Sequence, residues 1–178
     1  MPAFAGIDHV SLTVTDLDRS QGFYAAVLGF TPVLDFGHGR VCLHKRTGFT
    51  LGLMRPPDGS GQRFSELVTG LDHLGLAASS RDELVEWEQR LREHGVPHTP
   101  VQDMPLGHHL NLRDPDGIAL ELYAPAGHYA AALRELRSRD VSDEELLAMA
   151  AQFLGGEPAA AAAVTAAARH QHAAPGPS

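Results

Sequence analysis

The stretch Ile7-Asp8-His9-Val10-Ser11-Leu12-Thr13-Val14 recurs further along the chain as Leu71-Asp72-His73-Leu74-Gly75-Leu76-Ala77-Ala78. In both stretches apolar residues alternate with small or polar ones, a pattern that predicts a β-strand with one face toward a core. A histidine is the third residue of each stretch, so the two imidazoles hold equivalent positions on their strands. This internal repeat predicts two copies of one structural module.

Each copy continues with the same succession of signals. A helix-start signal follows the strand, Thr15-Asp16-Leu17-Asp18 in the first half and Ser79-Ser80-Arg81-Asp82-Glu83 in the second. Both predicted helices end at a glycine, Gly29 or Gly95, which suits a left-handed C-terminal cap. Three strand-like segments then follow, at 31–36, 40–44 and 47–54 in the first half and at 101–104, 108–113 and 117–123 in the second.

We therefore predict an α+β fold in which two tandem βαβββ modules, about residues 5–55 and 69–125, form a cupped mixed β-sheet groove. These modules make up a domain of residues 1–127, followed by an Ala-rich helical extension over residues 128–178. Within the extension, Ser142-Asp143-Glu144-Glu145 is a capping box that predicts a helix through Leu154. The stretch from Glu157 onward has too few large apolar residues for a core and is predicted to be disordered.

Composition narrows the classes of partner. The chain has 14 Lys and Arg against 22 Asp and Glu, and the net charge of -8 disfavours nucleic acid. No apolar run approaches the ~18 residues of a membrane span, and the N-terminus lacks a basic segment before an apolar one. We expect a cytoplasmic protein that acts on a small molecule. Its single cysteine, Cys42, lies in an apolar stretch and is expected in the core.

A carboxylate in the last predicted strand is the third residue that could carry chemistry. Glu121 lies among the apolar residues of Ile118-Ala119-Leu120-Glu121-Leu122-Tyr123, where burial of an unpaired charge is costly. A bound metal ion would offset that cost. Two imidazoles and one carboxylate form a facial set that leaves adjacent positions open on Fe(II), Mn(II), Co(II), Ni(II) or Zn(II).

These motifs resemble the vicinal oxygen chelate superfamily over about residues 5–125. The resemblance lies in the repeated apolar-Asp-His strands, in Leu28-Gly29-Phe30, and in Arg113-Asp114-Pro115-Asp116-Gly117 followed four residues later by Glu121. That family includes glyoxalases, type I extradiol dioxygenases, fosfomycin-modifying enzymes, methylmalonyl-CoA epimerases and bleomycin-binding proteins. The resemblance implies that His9, His73 and Glu121 bind one divalent metal, which a small oxygen-bearing substrate chelates.

The position equivalent to Glu121 in the first module is Gly52, because Gly48 aligns with Gly117. By the resemblance, glyoxalase I-like enzymes carry a glutamate at this fourth position and epimerases a glutamine, so Gly52 counts against both activities. Dioxygenases and fosfomycin-type transferases use three ligands and fit better. Both carry a tyrosine where Asn111 stands, however, so the reaction, dioxygenase-like or lyase/transferase-like, is left open.

Two adjacent histidines, His108 and His109, are candidates for acid-base or substrate-orienting roles, since imidazole titrates near neutral pH. Because side chains alternate along a strand, only one can face the groove, and the pattern does not say which. The alternative function is a metal-free protein that sequesters an antibiotic or metabolite. We expect a homodimer, and the family resemblance allows the metal site to form within one chain or with His9 joining His73 and Glu121 of a second copy.

Overall fold

The computed structural model describes residues 6–154 and contains eight strands and four helices in that range. The elements are β1 (His9–Thr13), α1 (Leu17–Ala26), β2 (Phe30–Asp35), β3 (Gly39–His44), β4 (Thr50–Met54), β5 (Leu74–Ala77), α2 (Arg81–Glu93), β6 (Gln102–Met104), β7 (Gly107–Arg113), β8 (Ala119–Pro125), α3 (Gly127–Ser138) and α4 (Asp143–Leu154). The α+β class and the βαβββ order of each half are confirmed. The predicted disordered stretch from Glu157 lies outside the described residues.

The strands form two four-stranded mixed sheets with equivalent topology, β1-β4-β3-β2 and β5-β8-β7-β6. In each sheet the first strand of the module pairs in parallel with its last strand, β1 with β4 and β5 with β8. The pairs β2–β3, β3–β4 and β6–β7 are antiparallel. Each repeated histidine therefore lies at or just before the start of a strand whose neighbour is the last strand of the same module.

Residues 6–154 divide into two compact units, one of residues 6–65 with 113–118 and one of residues 66–112 with 119–154. The turn before β8 belongs to the first unit through two buried carboxylates. Asp114 Oδ2 accepts a hydrogen bond from the Tyr24 hydroxyl at 3.1 Å. Asp116 accepts from the Thr15 backbone N–H at 2.8 Å and from the Arg19 guanidinium at 2.6 Å. These contacts hold the turn against the start of α1.

Each unit has its own apolar interior, built from the strand faces opposite the histidines and from one helix. The fully buried side chains include Tyr24, Leu51 and Leu53 in the first unit and Leu84, Leu91, Leu110 and Leu120 in the second. Cys42 is buried, as expected, and burial raises the pKa of its thiol. The thiol therefore stays protonated near neutral pH and serves as a small core group.

The predicted helix boundaries are confirmed by their caps. Asp16 accepts from the Arg19 N–H at the start of α1, and Ser80 accepts from the Glu83 N–H at the start of α2. Gly29 and Gly95 follow the two helices with φ of 76° and 64°, the left-handed conformation that glycine adopts without a steric cost.

Several strand boundaries differ from the prediction: β1 begins at His9 and not at Ile7, β4 begins at Thr50 and not at Thr47, and β5 begins later than expected. The second repeat was expected to be extended from Leu71, whereas β5 begins at Leu74, directly after His73. The reason lies in its partner, because β8 begins at Ala119 and the residues before His73 have no strand beside them.

The C-terminal extension contains the expected helix, preceded by a second one. The capping box is formed, since the Ser142 hydroxyl accepts from the Glu145 N–H while the Glu145 carboxylate accepts from the Ser142 N–H. The helix α4 runs to Leu154, as predicted. Among residues 6–154 no helix has the length and apolar character needed to span a membrane.

Candidate functional site

The two repeated histidines have the same local geometry. The Nδ1–H of His9 donates to the Asp8 carboxylate at 2.9 Å, and the Nδ1–H of His73 donates to the Asp72 carboxylate at 2.6 Å. Each hydrogen bond engages Nδ1 and leaves Nε2 as the ring nitrogen for a further partner. Histidines that bind metals usually donate their other ring N–H to a carboxylate or carbonyl in this way. The chemistry of both histidines therefore fits a role as nitrogen ligands.

Glu121 lies on β8 with only 9% of its surface exposed. Its Oε1 atom is 2.7 Å from Nδ1 of His109, and its Oε2 atom is 3.6 Å from Nε2 of His73. The second distance is too long for a hydrogen bond. Two donor atoms about 2.1 Å from one shared ion would be roughly 3.0–3.4 Å apart, so His73 and Glu121 are spaced nearly as two ligands of one metal would be.

The position opposite Glu121 on the neighbouring strand is a glycine. In the β5–β8 ladder Gly75 pairs with Glu121, and a Cβ built on Gly75 would lie 3.7 Å from Glu121 Oε2. A side chain longer than alanine would compete with the carboxylate for this space. Gly75 thus leaves room for the Glu121 side chain.

In the first sheet the equivalent pair has the reverse arrangement. Ser11 pairs with Gly52, and a Cβ built on Gly52 would overlap the Ser11 hydroxyl. Position 52 was predicted to lack a carboxylate, and with Ser11 facing it the position also lacks the space for one. This agrees with a three-ligand set in which the first module contributes only His9.

Alternation along β7 separates the two adjacent histidines. His109 is 4% exposed and contacts Glu121, whereas His108 points to the other face, where its Nδ1 is 2.7 Å from Asp103. Asp103 also accepts from Arg81 at 2.7 Å, and these two partners, Arg81 foremost, lower the pKa of its carboxyl group. Of the two candidates, His109 is the one beside the predicted ligands.

Tyr123 lies two residues beyond Glu121 and so shares its face of β8. Its hydroxyl donates to the Leu106 carbonyl at 2.8 Å. Burial, with smaller contributions from Tyr129 and the charge of Glu121, raises the pKa of Tyr123 to about 12. This hydroxyl is therefore committed to a structural hydrogen bond, and it does not replace the tyrosine that is missing at Asn111.

The predicted site residues are distributed over both units. His73, His109 and Glu121 meet in the second unit, and His9 lies on β1 of the first. Among residues 6–154, no three His, Cys, Asp or Glu side chains are grouped so that they could hold a metal ion. Metal binding by His9, His73 and Glu121 stays a prediction, with a donor chemistry that fits it.

Sequence reasoning missed two features of the site. The first is Gln102, whose side-chain oxygen is 3.3 Å from Nε2 of His109. Only the β6–β7 pairing, in which Gln102 is opposite His109, brings these residues together. The second is the role of Asp8 and Asp72, although their place directly before each histidine was a signal that the sequence carried.

Comparison with known proteins assigns the family. The model of the glyoxalase/bleomycin resistance protein/dioxygenase superfamily matches residues 6–122. The chain belongs to this superfamily, and the resemblance seen in its repeated motifs is confirmed.

Two relatives from Bacillus subtilis (strain 168) match about the same part of the chain. The uncharacterized protein YwkD is 29% identical over 124 residues, which are 66% of this chain and 94% of that protein. A catechol-2,3-dioxygenase is 32% identical over 118 residues, 66% of this chain, but the match spans only 41% of the length of the dioxygenase.

Solved structures agree with this assignment. A glyoxylase/bleomycin resistance protein/dioxygenase domain from Frankia sp. EAN1pec has a TM-score of 0.64 and 33% identity, and the match covers 70% of this chain and 100% of that domain. The fosfomycin resistance protein FosX from Listeria monocytogenes, in a complex with Mn(II) and sulfate, has a TM-score of 0.58 at 18% identity, covering 74% of this chain and 99% of FosX. This second likeness shows a shared fold.

Proposed function

We propose that this protein is a metal-dependent enzyme that holds one divalent ion on His9, His73 and Glu121 and acts on a small substrate with neighbouring oxygen atoms. The observation that carries the proposal is the distance of 3.6 Å between Nε2 of His73 and Oε2 of Glu121. The carboxylate of Glu121 is buried. His9 is included because its Nδ1 contacts Asp8 as Nδ1 of His73 contacts Asp72, which leaves Nε2 as the ligand atom in both histidines.

The chain's own residues would prepare this site before a metal arrives. Asp8 and Asp72 hold Nδ1 of His9 and His73, so Nε2 is the ring nitrogen left for a metal ion in each. Burial of Glu121 in a weakly polar setting strengthens its attraction for a cation. When bound, a divalent ion of this kind supplies a Lewis acid with open positions for two substrate oxygens.

The surface around His9 favours an uncharged substrate. On that face of the first sheet, Ser11 pairs with Gly52, Gly52 with Val41, and Val41 with Leu34. Leu34, at the β2 end of this row, is 56% exposed, so apolar surface is available on the same face of the sheet as the histidine. The described strands place neither Lys nor Arg in this row or in the row of His9. Such a surface suits the body of a phenolic or apolar compound better than a phosphonate.

Reaction class follows from the same features as a finer part of the proposal. A substrate with adjacent hydroxyl or carbonyl oxygens on an apolar body, as in a catechol, fits the neutral face. The similarity to a catechol-2,3-dioxygenase over 118 residues points the same way. We therefore favour a dioxygenase-like reaction over a lyase-like or transferase-like one. A cytoplasmic location and a homodimeric state remain predictions.

The first test is the metal itself. The protein is purified without chelators, its metal content is measured by elemental analysis, and its melting temperature is followed with Fe(II), Mn(II), Co(II), Ni(II) and Zn(II). We expect a bound divalent ion that raises the melting temperature, because a ligand that binds only the folded state stabilises it. His73→Ala should lose the ion, and His38→Ala, a change to an exposed loop histidine, should keep it.

A protein that carries no metal and does not respond to any of these ions would overturn the proposal and favour the metal-free binding protein. The loaded protein is then offered catechols, methylglyoxal with a thiol, and fosfomycin with a thiol, and the absorbance or product is followed. Turnover of catechols alone supports the neutral-substrate argument. Turnover of fosfomycin alone contradicts it while leaving the metal site intact.

The origin of His9 has a separate test. If the site forms with a second copy, a mixture of a His9→Ala chain and a Glu121→Ala chain regains part of the metal binding that each has lost. If the site forms within one chain, the mixture binds no more metal than its components do. The same samples, examined by light scattering, report the oligomeric state.

A further inference from the structure

His109 is a deeply buried polar side chain that contacts Glu121. It lies in the middle of β7, is 4% exposed, and has a partner on each ring nitrogen. Nδ1 is 2.7 Å from Glu121 Oε1, and Nε2 is 3.3 Å from the side-chain oxygen of Gln102. A histidine that acts on a substrate needs an accessible nitrogen, so this environment speaks against a direct acid-base role.

The same contacts give His109 a clear effect on Glu121. A carboxylate on a long side chain can rotate, and it can offer a cation either one oxygen or two. The hydrogen bond from His109 occupies Oε1 and turns Oε2 toward Nε2 of His73. With Nδ1–H donated to Glu121, Nε2 is an acceptor, so the Gln102 amide restrains the imidazole when its NH2 group faces Nε2. The chain Gln102–His109–Glu121 therefore presets which oxygen is available and where it points.

We propose that His109 is a positioning residue that holds Glu121 in a one-oxygen binding geometry, and that Gln102 fixes the ring of His109. This inference rests on the proposed metal site. It replaces the acid-base role predicted for His109 with a role exerted through Glu121. Partners of this kind behind a metal ligand commonly change the affinity 10–100-fold when they are removed.

The test compares three variants of adjacent residues. His109→Leu keeps an apolar group of similar size but removes the donor to Glu121. His109→Asn restores an amide N–H near the position of Nδ1. His108→Leu is the matched control, because His108 lies on the opposite face and contacts Asp103. For each we measure the melting temperature without metal, the dissociation constant for Zn(II) by chelator competition, and the visible spectrum of the Co(II)-loaded protein.

We expect His109→Leu to bind Zn(II) about 10–100-fold more weakly and to show an altered Co(II) spectrum. His109→Asn should recover most of the affinity and the spectrum of the wild type, and His108→Leu should match the wild type in both. Rescue by asparagine distinguishes positioning from packing, since asparagine fills the space of the ring poorly but supplies the same donor.

Wild-type affinity in a folded His109→Leu protein would overturn the inference while leaving the proposed metal site intact. Equal losses in the leucine and asparagine variants would also overturn it, because the ring would then act only through packing. If the leucine variant does not fold, the asparagine variant decides alone: bound metal supports positioning, and a folded protein without metal refutes it. A wild-type protein that binds no metal removes the proposed function and this inference together.

Discussion

The two modules have the same frame and differ at one pair of facing residues. Both begin with an Asp–His pair and place their first strand parallel to their last. In the first module the side chain at the facing pair comes from the first strand, Ser11 against Gly52; in the second it comes from the last strand, Glu121 against Gly75. A Cβ at position 52 would overlap the Ser11 hydroxyl, whereas a Cβ at position 75 would be in ordinary contact with Glu121, so the two facing pairs differ in the space they leave.

This difference agrees with the single carboxylate of the proposed metal site. A symmetric pair of modules would present two carboxylates beside two histidines, with an additional negative charge to be compensated. The glycine at position 52, together with Ser11, keeps the first module neutral at this point. Four predictions test the two modules, three of them at matched positions and one at a contact of the first module alone, from the largest expected effect to the smallest.

The cores behind the two facing pairs should be equivalent. Leu53 and Leu122 follow Gly52 and Glu121 in their strands and are 0% and 2% exposed. Leu53→Ala and Leu122→Ala should each lower the free energy of unfolding by about 2–5 kcal/mol, because truncation leaves a cavity in a packed interior. Urea denaturation followed by circular dichroism measures both. Val68→Ala, at a residue that is 68% exposed, is the control; a core variant as mild as this control would show that the two interiors are not equivalent.

The facing pairs themselves should respond in opposite ways to an added methyl group. Gly52→Ala should cost about 1–3 kcal/mol, since the new Cβ overlaps Ser11, whereas Gly75→Ala should be neutral or slightly stabilising. Ser11→Gly combined with Gly52→Ala should recover most of the lost stability, and a double-mutant cycle from chemical denaturation gives the coupling. Absence of coupling between positions 11 and 52 would mean that the overlap is relieved elsewhere.

On its buried face, α1 makes a polar contact between the Tyr24 hydroxyl and the Asp114 carboxylate. Burial raises the pKa of Asp114, so ionisation of this carboxyl group lowers the free energy of unfolding once the pH is above its unfolded-state pKa. The hydrogen bond from the Tyr24 hydroxyl stabilises the ionised form and offsets part of this loss. Tyr24→Phe should therefore destabilise the protein by about 1–2 kcal/mol at neutral pH. The gap to the wild type should narrow as the pH falls through the raised pKa and Asp114 becomes protonated. Melting curves from about pH 4 to about pH 8 measure it, and a gap that is constant over this range would exclude the ionised contact as its source.

The two helix caps should differ in their response to acid. The Asp16 carboxylate accepts a hydrogen bond from the Arg19 backbone N–H, and this bond lowers the pKa of Asp16. The cap therefore stabilises α1 above the unfolded-state pKa of Asp16, and this stabilisation is lost as the pH falls through the lowered pKa. Ser80 does not titrate, and Ser80→Ala should cost about 1 kcal/mol at every pH. Asp16→Ser should remove the acid dependence of the first cap, as seen in melting curves of the variant and the wild type. An unchanged pH profile in Asp16→Ser would assign that dependence to other carboxylates.

The parts of the fold that the sequence predicted are those with local causes. Asp16 and Ser80 bond to N–H groups three residues away, and Gly29 and Gly95 adopt positive φ within a single residue. Such features depend little on distant parts of the chain, so the pattern of residues is enough to locate them. The βαβββ order follows from them, and with it the family.

The site was predicted less completely because its contacts depend on strand register. The sequence singled out His73 and Glu121 and placed His108 and His109 on one strand, but it could not say which of the pair faces inward. The start of β5 after His73 depended on where β8 begins. Gln102 gave no signal of its own, since only its pairing with His109 gives it a role.

The sequence by itself therefore determined the two modules, the equivalence of His9 and His73, and the absence of a carboxylate at position 52. Local hydrogen bonding and side-chain alternation are properties of short segments, and they can be read from the chain. Only the tertiary structure decided that His109 contacts Glu121 and that Oε2 faces His73. It also decided that the larger side chain of the facing pair is on the first strand in one module, Ser11, and on the last strand in the other, Glu121. The physical reason is that a one-residue change of register exchanges the two faces of a strand, so the partners across a sheet are fixed only when the sheet has formed.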